Sequence, residues 1–277
     1  MPHLAMGAVC LMALAATPNR AAQAQEIKRE SRYTKNKGAI PFAALTPSGG
    51  QLFYGTTLAN TDNNFGGIYS FNRNTGVINL LDTFTSSNGS VPYAVLTPAG
   101  GGLYFGTTYS GGAQDLGGVF AFHSSTGTIT LQDSFNRANG AIPYSALTPA
   151  GGTLFYGTTH EGGADDLGGI FAFDSSTGRI SLQASFNGSN GARFLAALTA
   201  GDGELYYGTT TLGGEENLGV IYSFNPVPGP FPLMGVGAAL GWSKRLRRGL
   251  LADPGNTVMA RTVGREQRHP AGERDGR

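Results

Sequence analysis

The chain has 277 residues, of which 44 are Gly and only 13% are charged, with a formal net charge of +1. That charge is unevenly placed: residues 26–225 carry nine Lys and Arg against fourteen Asp and Glu, a net −5, and residues 226–277 carry nine against four, a net +5. A mildly acidic body argues against nucleic acid as a partner, and the single cysteine, Cys10, excludes an internal disulfide framework.

Taken in order, the chain opens with an apolar run from Leu4 to Ala16, followed by Ala22-Gln23-Ala24. A short apolar run before a small-x-small site reads as a secretory signal peptide over residues 1–24. Its n-region, Met1-Pro2-His3, has no Lys or Arg, and a buried N-terminal helix is the alternative. An isolated strand is expected next, from Glu26 to Tyr33.

The body, residues 26–225, is a tandem repeat. One pattern begins at Leu45, Leu96, Leu147 and Leu198, each 51 residues after the last. The Gly-Thr-Thr block keeps the same register at Gly55, Gly106, Gly157 and Gly208. Fixed periods of about 20–50 residues mark solenoids, propellers and arrays. In the second copy, four strands are expected: Val91 to Thr97, Leu103 to Thr108, Gly117 to His123 and Thr128 to Phe135. Turns at Pro98-Ala99-Gly100-Gly101 and Ser124-Ser125-Thr126-Gly127 separate them, with a Ser/Gly/Gln/Asp loop at Tyr109 to Leu116. Four antiparallel strands in about 50 residues is the size of a β-propeller blade. The fold class is therefore all-β, a four-bladed β-propeller-like repeat domain. The fourth copy stops after its third strand, and Tyr33 stands 51 residues before Phe84, in fourth-strand register. The N-terminal strand is accordingly expected to pair with the last repeat and close the ring. An open four-repeat arc and a ring completed by a second copy are the alternatives. Three aromatic columns (Tyr54, Phe105, Tyr156 and Tyr207; Tyr69, Phe120, Phe171 and Tyr222; Phe71, Phe122, Phe173 and Phe224) are expected to fill the spaces between repeats.

The block Leu-Phe-Tyr-Gly-Thr-Thr followed by Gly-Gly-x-x-Asp-Leu-Gly-Gly-Val-Phe-Ala-Phe, best kept at Leu103 to Phe122 and Leu154 to Phe173, resembles the GloVer tandem repeat. That resemblance implies a repeat fold and a surface address on bacterial cells, and no known reaction. The C-terminal segment adds a second resemblance. Val227-Pro228-Gly229-Pro230 is followed by an apolar run from Phe231 to Trp242 and then by Lys244, Arg245, Arg247 and Arg248. This order is similar to PEP-CTERM-type sorting signals in a Val-Pro-Gly-Pro variant. It implies an exosortase-like processing protease as a partner, in a Gram-negative-type or cyanobacterial cell. An apolar run of 12 residues is marginal for spanning, and a basic cluster after it would hold the end on the cytoplasmic side. Transient membrane engagement through 231–242 follows, with the signal assigned to residues 226–248. Residues 249–277, rich in Arg and Gly, read as a disordered tail, and they depart from sorting signals that end at the basic cluster.

Motifs for chemistry are absent: the chain has no Gly-x-Ser-x-Gly elbow, phosphate-binding loop, His-Glu-x-x-His or Cys cluster. His160, with Glu161, stands where the other copies have Leu58, Tyr109 and Thr211. Tyr109 and His160 are the candidate ligand-binding residues, and no residue is assigned a catalytic or metal-binding role. The acidic loop residues Asp115, Asp166 and Asn217 lack the nine-residue period of a Ca²⁺-binding turn, and are expected to cap their own loops. The expected function is that of an exported surface or extracellular-matrix protein with a structural, adhesive or interaction role, without enzymatic activity or cofactor. A polysaccharide-binding module and, less favoured, a glycan hydrolase or lyase are the alternatives. Extracellular polysaccharide or other surface proteins are the expected partners.

Overall fold

The computed structural model describes residues 28–34, 37–59 and 64–226. The stretches expected to be a signal peptide, a sorting signal (from Val227 through its basic residues) and a tail lie outside them.

The described residues form antiparallel sheets that follow the repeat. The first repeat holds β1 (Ala39–Pro41), β2 (Thr46–Pro47), β3 (Leu52–Ala59), β4 (Gly67–Asn72) and β5 (Val77–Thr83). The second holds β6 (Thr97–Gly100), β7 (Leu103–Thr108), β8 (Gly118–His123) and β9 (Thr128–Ser134). The third holds β10 (Thr148–Pro149), β11 (Leu154–Thr159), β12 (Gly169–Asp174) and β13 (Arg179–Ser185). The fourth holds β14 (Thr199–Ala200), β15 (Tyr206–Thr209) and β16 (Ile221–Phe224). In the second and third sheets the strands lie in chain order, the simplest up-and-down arrangement.

Local chemistry explains the Gly-Thr-Thr block. Gly55, Gly106, Gly157 and Gly208 sit directly opposite Tyr69, Phe120, Phe171 and Tyr222 on the neighbouring strand. Each of these rings lies over its glycine, where a Cβ would collide with it. An aromatic ring covering a strand glycine restores the contact that the missing side chain forfeits. The two threonines alternate across the sheet, as strand geometry requires. The second one serves its own repeat, since Thr108 and Thr159 Oγ1 accept the Gly118 and Gly169 N–H at 3.2 Å. The first one serves the next repeat. Thr107 Oγ1 donates to the Ser145 carbonyl at 2.9 Å, and Thr158 Oγ1 to that of Ala196 at 3.1 Å.

The core lies between repeats. Tyr54, Ile68 and Phe84 of the first repeat meet Leu96, Tyr104, Phe120 and Phe122 of the second. Equivalent clusters join the second repeat to the third and the third to the fourth. Most members of the aromatic columns fill these spaces, whereas Tyr207 is exposed and Phe71 only half-buried; the rings meet edge to face, as Phe120 and Phe171 do with Phe84 and Phe135, both with centroids 4.9 Å apart. Polar ties recur with the same period. Thr46, Thr97 and Thr148 Oγ1 donate to the Leu96, Leu147 and Leu198 carbonyls at 2.9, 2.9 and 2.7 Å. A bulge after Ile68, Val119 and Ile170 shifts the register against the last strand. Beside it, Asp82 and Asp133 accept the Ile129 and Ile180 N–H of the following repeat at 2.7 and 2.9 Å.

Two expectations are corrected. The first strand of each repeat is short: in the second copy it covers Thr97–Gly100, where a turn was expected, and not Val91 to Thr97. Val91 has φ +55°, which breaks the extended run, and the stretch before Leu96 bridges two repeats instead. The ring is also not closed by the N-terminal strand. Residues 28–34 form no strand, and among the described residues the fourth sheet has three strands with β16 at its edge. The register reading itself holds. Tyr33 packs on Tyr69 at 5.2 Å, as Phe84, Phe135 and Phe186 pack on the corresponding ring of the following repeat. The segment docks on the first repeat, and the fourth is left without a last strand.

Replacing Gly106 by Ala forces the Phe120 ring away, and is expected to lower stability by about 1–3 kcal/mol. A Gly106→Ala, Phe120→Leu double variant should recover part of the loss. Urea midpoints measure both, and an unchanged midpoint for the single variant would remove the ring-over-glycine account.

Candidate functional site

The stretch before each repeat builds one rim of the array. Ile40, Val91, Ile142 and Arg193 all have φ between 55° and 61°, a left-handed conformation that β-branched residues rarely adopt. Hydrogen bonds on both sides hold the last three in place. The Val91, Ile142 and Arg193 N–H groups donate to the Phe65, Leu116 and Leu167 carbonyls of the preceding repeat at 2.9, 2.9 and 3.1 Å. Their own carbonyls accept the N–H of Tyr109, His160 and Thr211 at 3.1, 3.1 and 3.0 Å. The strained residue therefore clamps one repeat to the next, and fixes the position after Gly-Thr-Thr where Tyr109 and His160 stand.

Two residues further on, this clamp aims Phe42, Tyr93 and Tyr144 along the same rim. Phe42 packs on Tyr93 at 5.3 Å, Tyr93 on Tyr109 at 5.6 Å, and Tyr93 on Tyr144 at 5.2 Å. Tyr109 meets Tyr144 at 5.3 Å, and Tyr144 meets His160 at 5.5 Å. Tyr109 and His160 are thus brought into one row, with Tyr144 between them. Phe42 is exposed, and Tyr93, Tyr109, Tyr144 and His160 are half-buried, so part of each member of the row faces solvent. Burial, together with the neighbouring Tyr109, pushes the Tyr144 phenol above its ordinary range.

A charged cluster ends the row. Arg193 Nη1 lies 3.4 Å from His160 Nδ1 and donates to Glu161 at 3.1 Å. Arg137 reaches Glu161 at 3.7 Å and donates to Asp166 at 2.6 Å. The Gly162 N–H and then the Arg137 guanidinium hold the Asp166 carboxyl below the usual carboxylate range. The Arg137–Asp166 pair is half exposed on both sides, so it orients groups more than it stabilises the fold. Glu161 is engaged by two guanidinium groups and is not arranged to orient His160 as a base.

The loop acids cap their turns, as expected. Asp115, Asp166 and Asn217 Oδ1 accept the Gly111, Gly162 and Gly213 N–H at 2.7, 2.9 and 2.8 Å. Among the described residues, no group of three His, Cys, Asp or Glu is placed to hold a metal ion. Sequence reasoning missed Tyr93, Tyr144, Arg137 and Arg193. The available signal was the column Phe42, Tyr93, Tyr144 and Leu195 at the same 51-residue period, in a stretch read as an ordinary strand.

Burial, and next the Arg193 charge, lower the affinity of His160 for a proton. The unfolded chain then binds that proton more readily than the native state does. Stability should fall as pH drops through the ordinary imidazole range, from about 7 to about 5. The fall should be shallower in His160→Gln, as read from melting temperatures across that range.

No curated protein matches the chain. Among solved structures, it is similar to TolB from Acinetobacter baumannii, at 17% identity and a TM-score of 0.37, covering 64% of this chain and 41% of that one. It is similar to a chain of the nidogen/laminin complex, at 14% identity and a TM-score of 0.40, covering 64% and 60%. It is also similar to a puromycin-hydrolyzing peptidase of Mycobacterium tuberculosis, at 12% identity and a TM-score of 0.34, covering 57% and 24%. The chain spans less than two thirds of the length of each. The repeat itself is matched over residues 19–155 and 104–235 by the model of the Gloeobacter/Verrucomicrobia repeat, and the chain belongs to that family.

Proposed function

We propose that the protein is an exported repeat protein of the cell surface or extracellular matrix, whose repeats act as four propeller-like blades that present one aromatic rim for adhesion. The observation that carries the reading is the row Phe42, Tyr93, Tyr109, Tyr144 and His160, whose successive ring centroids are 5.3–5.6 Å apart. Half-buried aromatic rings in a fixed row offer large contact area at little entropic cost on binding. Membership of the repeat family supports a surface role, and so do the export and sorting patterns at the two ends of the sequence. In this reading the Val227-Pro228-Gly229-Pro230 signal is cut by an exosortase-like protease after brief membrane engagement through 231–242. The protein carries no reaction of its own.

Extracellular polysaccharide is the ligand class favoured by the rim. Partly exposed rings flanked by Arg193, Glu161 and Arg137 combine an apolar surface with hydrogen-bond donors and acceptors, which suits a hydroxyl-rich chain.

The native protein of the surface fraction should end between Val227 and Pro232 when its intact mass is measured. A secreted or cytoplasmic chain still ending at Arg277 would overturn the sorting step. Binding to the cell's own glycans should be saturable, and weakened at least about tenfold in a Tyr109→Ala, His160→Ala double variant. Equal binding by that variant would move the contact away from the rim.

A further inference from the structure

Three internal junctions show what covers each face of a repeat, and among the described residues one face of each kind is left over. On the outgoing face of the fourth repeat, Ile221 is 81% exposed, whereas its counterparts Ile68, Val119 and Ile170 are at 0–1%. Tyr207 is 43% exposed against 2–6% for Tyr54, Phe105 and Tyr156. Thr209 is exposed, whereas Thr56, Thr107 and Thr158 are buried and donate across a junction. Among the described residues, the strand beside this face, β16, has no partner on its outer edge, where β4, β8 and β12 each pair with a fourth strand.

The incoming face of the first repeat carries the matching parts. Leu45 is 41% exposed, whereas Leu96, Leu147 and Leu198 are at 2–4%. Phe53 and Phe71 are only half-buried, whereas Tyr104 and Phe122 in the second repeat are buried. Residues 28–34 already lie on this face in fourth-strand register, through the Tyr33–Tyr69 contact.

We propose that the outgoing face of the fourth repeat docks on the incoming face of the first repeat of a second copy of this chain. Its residues 28–33 then add to the free edge of β16 as the missing last strand. The occupant is a second copy because this chain presents both halves of a junction that it already forms three times, and holds them at opposite ends of the array. The third repeat, where β12 pairs with β13, sets the register of the added strand: Ile221 opposite Ser31, and Tyr222 opposite Arg29. Such a head-to-tail interface is heterologous, so it closes into a ring or runs on as a chain, according to the rotation per copy. Strand addition at an exposed edge provides backbone hydrogen bonds, and the apolar faces provide the driving force. An unpaired edge beside an apolar end face is otherwise an aggregation hazard, one that terminal repeats normally avoid with a polar outer surface.

The test is the mass of the full chain in solution by light scattering across a micromolar concentration series. The wild-type chain should reach at least twice the mass of one copy. Ile221→Asp and Leu45→Asp each place a charge on one face only. Each variant should associate at least about a hundredfold more weakly, because an unpaired charge cannot be buried cheaply. Mixed one to one, the two variants retain one intact pair of faces and should form a species of two copies. A wild-type monomer throughout the series overturns the proposal. So do assemblies that survive either substitution, and a mixture that stays monomeric. A monomer whose melting temperature drops on Ile221→Asp also overturns it, by showing that another part of the same chain covers the face.

Discussion

Everything in this fold depends on one repeat lending its face to the next. A four-stranded sheet of about 50 residues has two faces and cannot bury both alone. In this chain the apolar residues of one repeat find cover only among those of its neighbour, as Tyr54 and Ile68 do among Leu96, Tyr104 and Phe122. The hydroxyl of the first Thr in Gly-Thr-Thr makes the same crossing, and so do the carboxylates of Asp82 and Asp133. Core and polar network are therefore both junction properties. Losing one partner leaves a buried donor or acceptor unmatched, at a cost of about 1–3 kcal/mol each. That penalty makes the junctions specific as well as stable.

The strained backbone at Val91, Ile142 and Arg193 belongs to the same logic. A positive φ costs something of order 1–3 kcal/mol at such a residue. It persists because the N–H and the carbonyl are each fixed to a different strand or loop. The kink sends the following residues across the junction and not along a strand. It thereby turns the position two residues later, Tyr93 or Tyr144, onto the rim. The local departure from ideal strand geometry is thus the device that lines up the aromatic row.

How much of this is legible in the sequence depends on whether a signal is periodic or conformational. The repeat length, the three long strands of each of the first three copies and the junction role of most of the aromatic columns all follow from patterning. The fourth-strand register of Tyr33 follows too, because subtraction of 51 places it beside Tyr69. What the pattern hides is conformation at single residues. Nothing in Val91 or Ile142 announces a left-handed backbone, since β-branched residues favour extended conformations, so the stretch reads as a strand. Tyr109 and His160 are visible as a variable position after the Gly-Thr-Thr block. Their neighbours Tyr93 and Tyr144 recur at the same period, but the contacts that make a row of them cross a junction, which sequence spacing alone cannot draw. Closure is illegible for a related reason: register fixes which face the N-terminal segment matches, and not which copy of that face it meets.

The position of the candidate rim follows from these constraints. Its members come from different repeats: Phe42 from the start of the first, Tyr93 and Tyr109 from the second, Tyr144 and His160 from the third, and Arg193 from the start of the fourth. No repeat owns the site, which exists only while all three junctions are formed. Only the junction between the second and third repeats, which the Tyr93–Tyr144 and Tyr109–Tyr144 contacts cross, has a further repeat on each side, and in a one-dimensional array it opens less readily than the ends do. The tyrosine centre of the candidate rim is thus held by the most protected contact of the array, and its Phe42 and Arg193 ends by the outer junctions. The end faces keep the apolar and hydrogen-bonding groups that the same contacts would otherwise consume. Rim and ends are two consequences of one repeating interface, satisfied in the middle of the chain and unsatisfied at its limits.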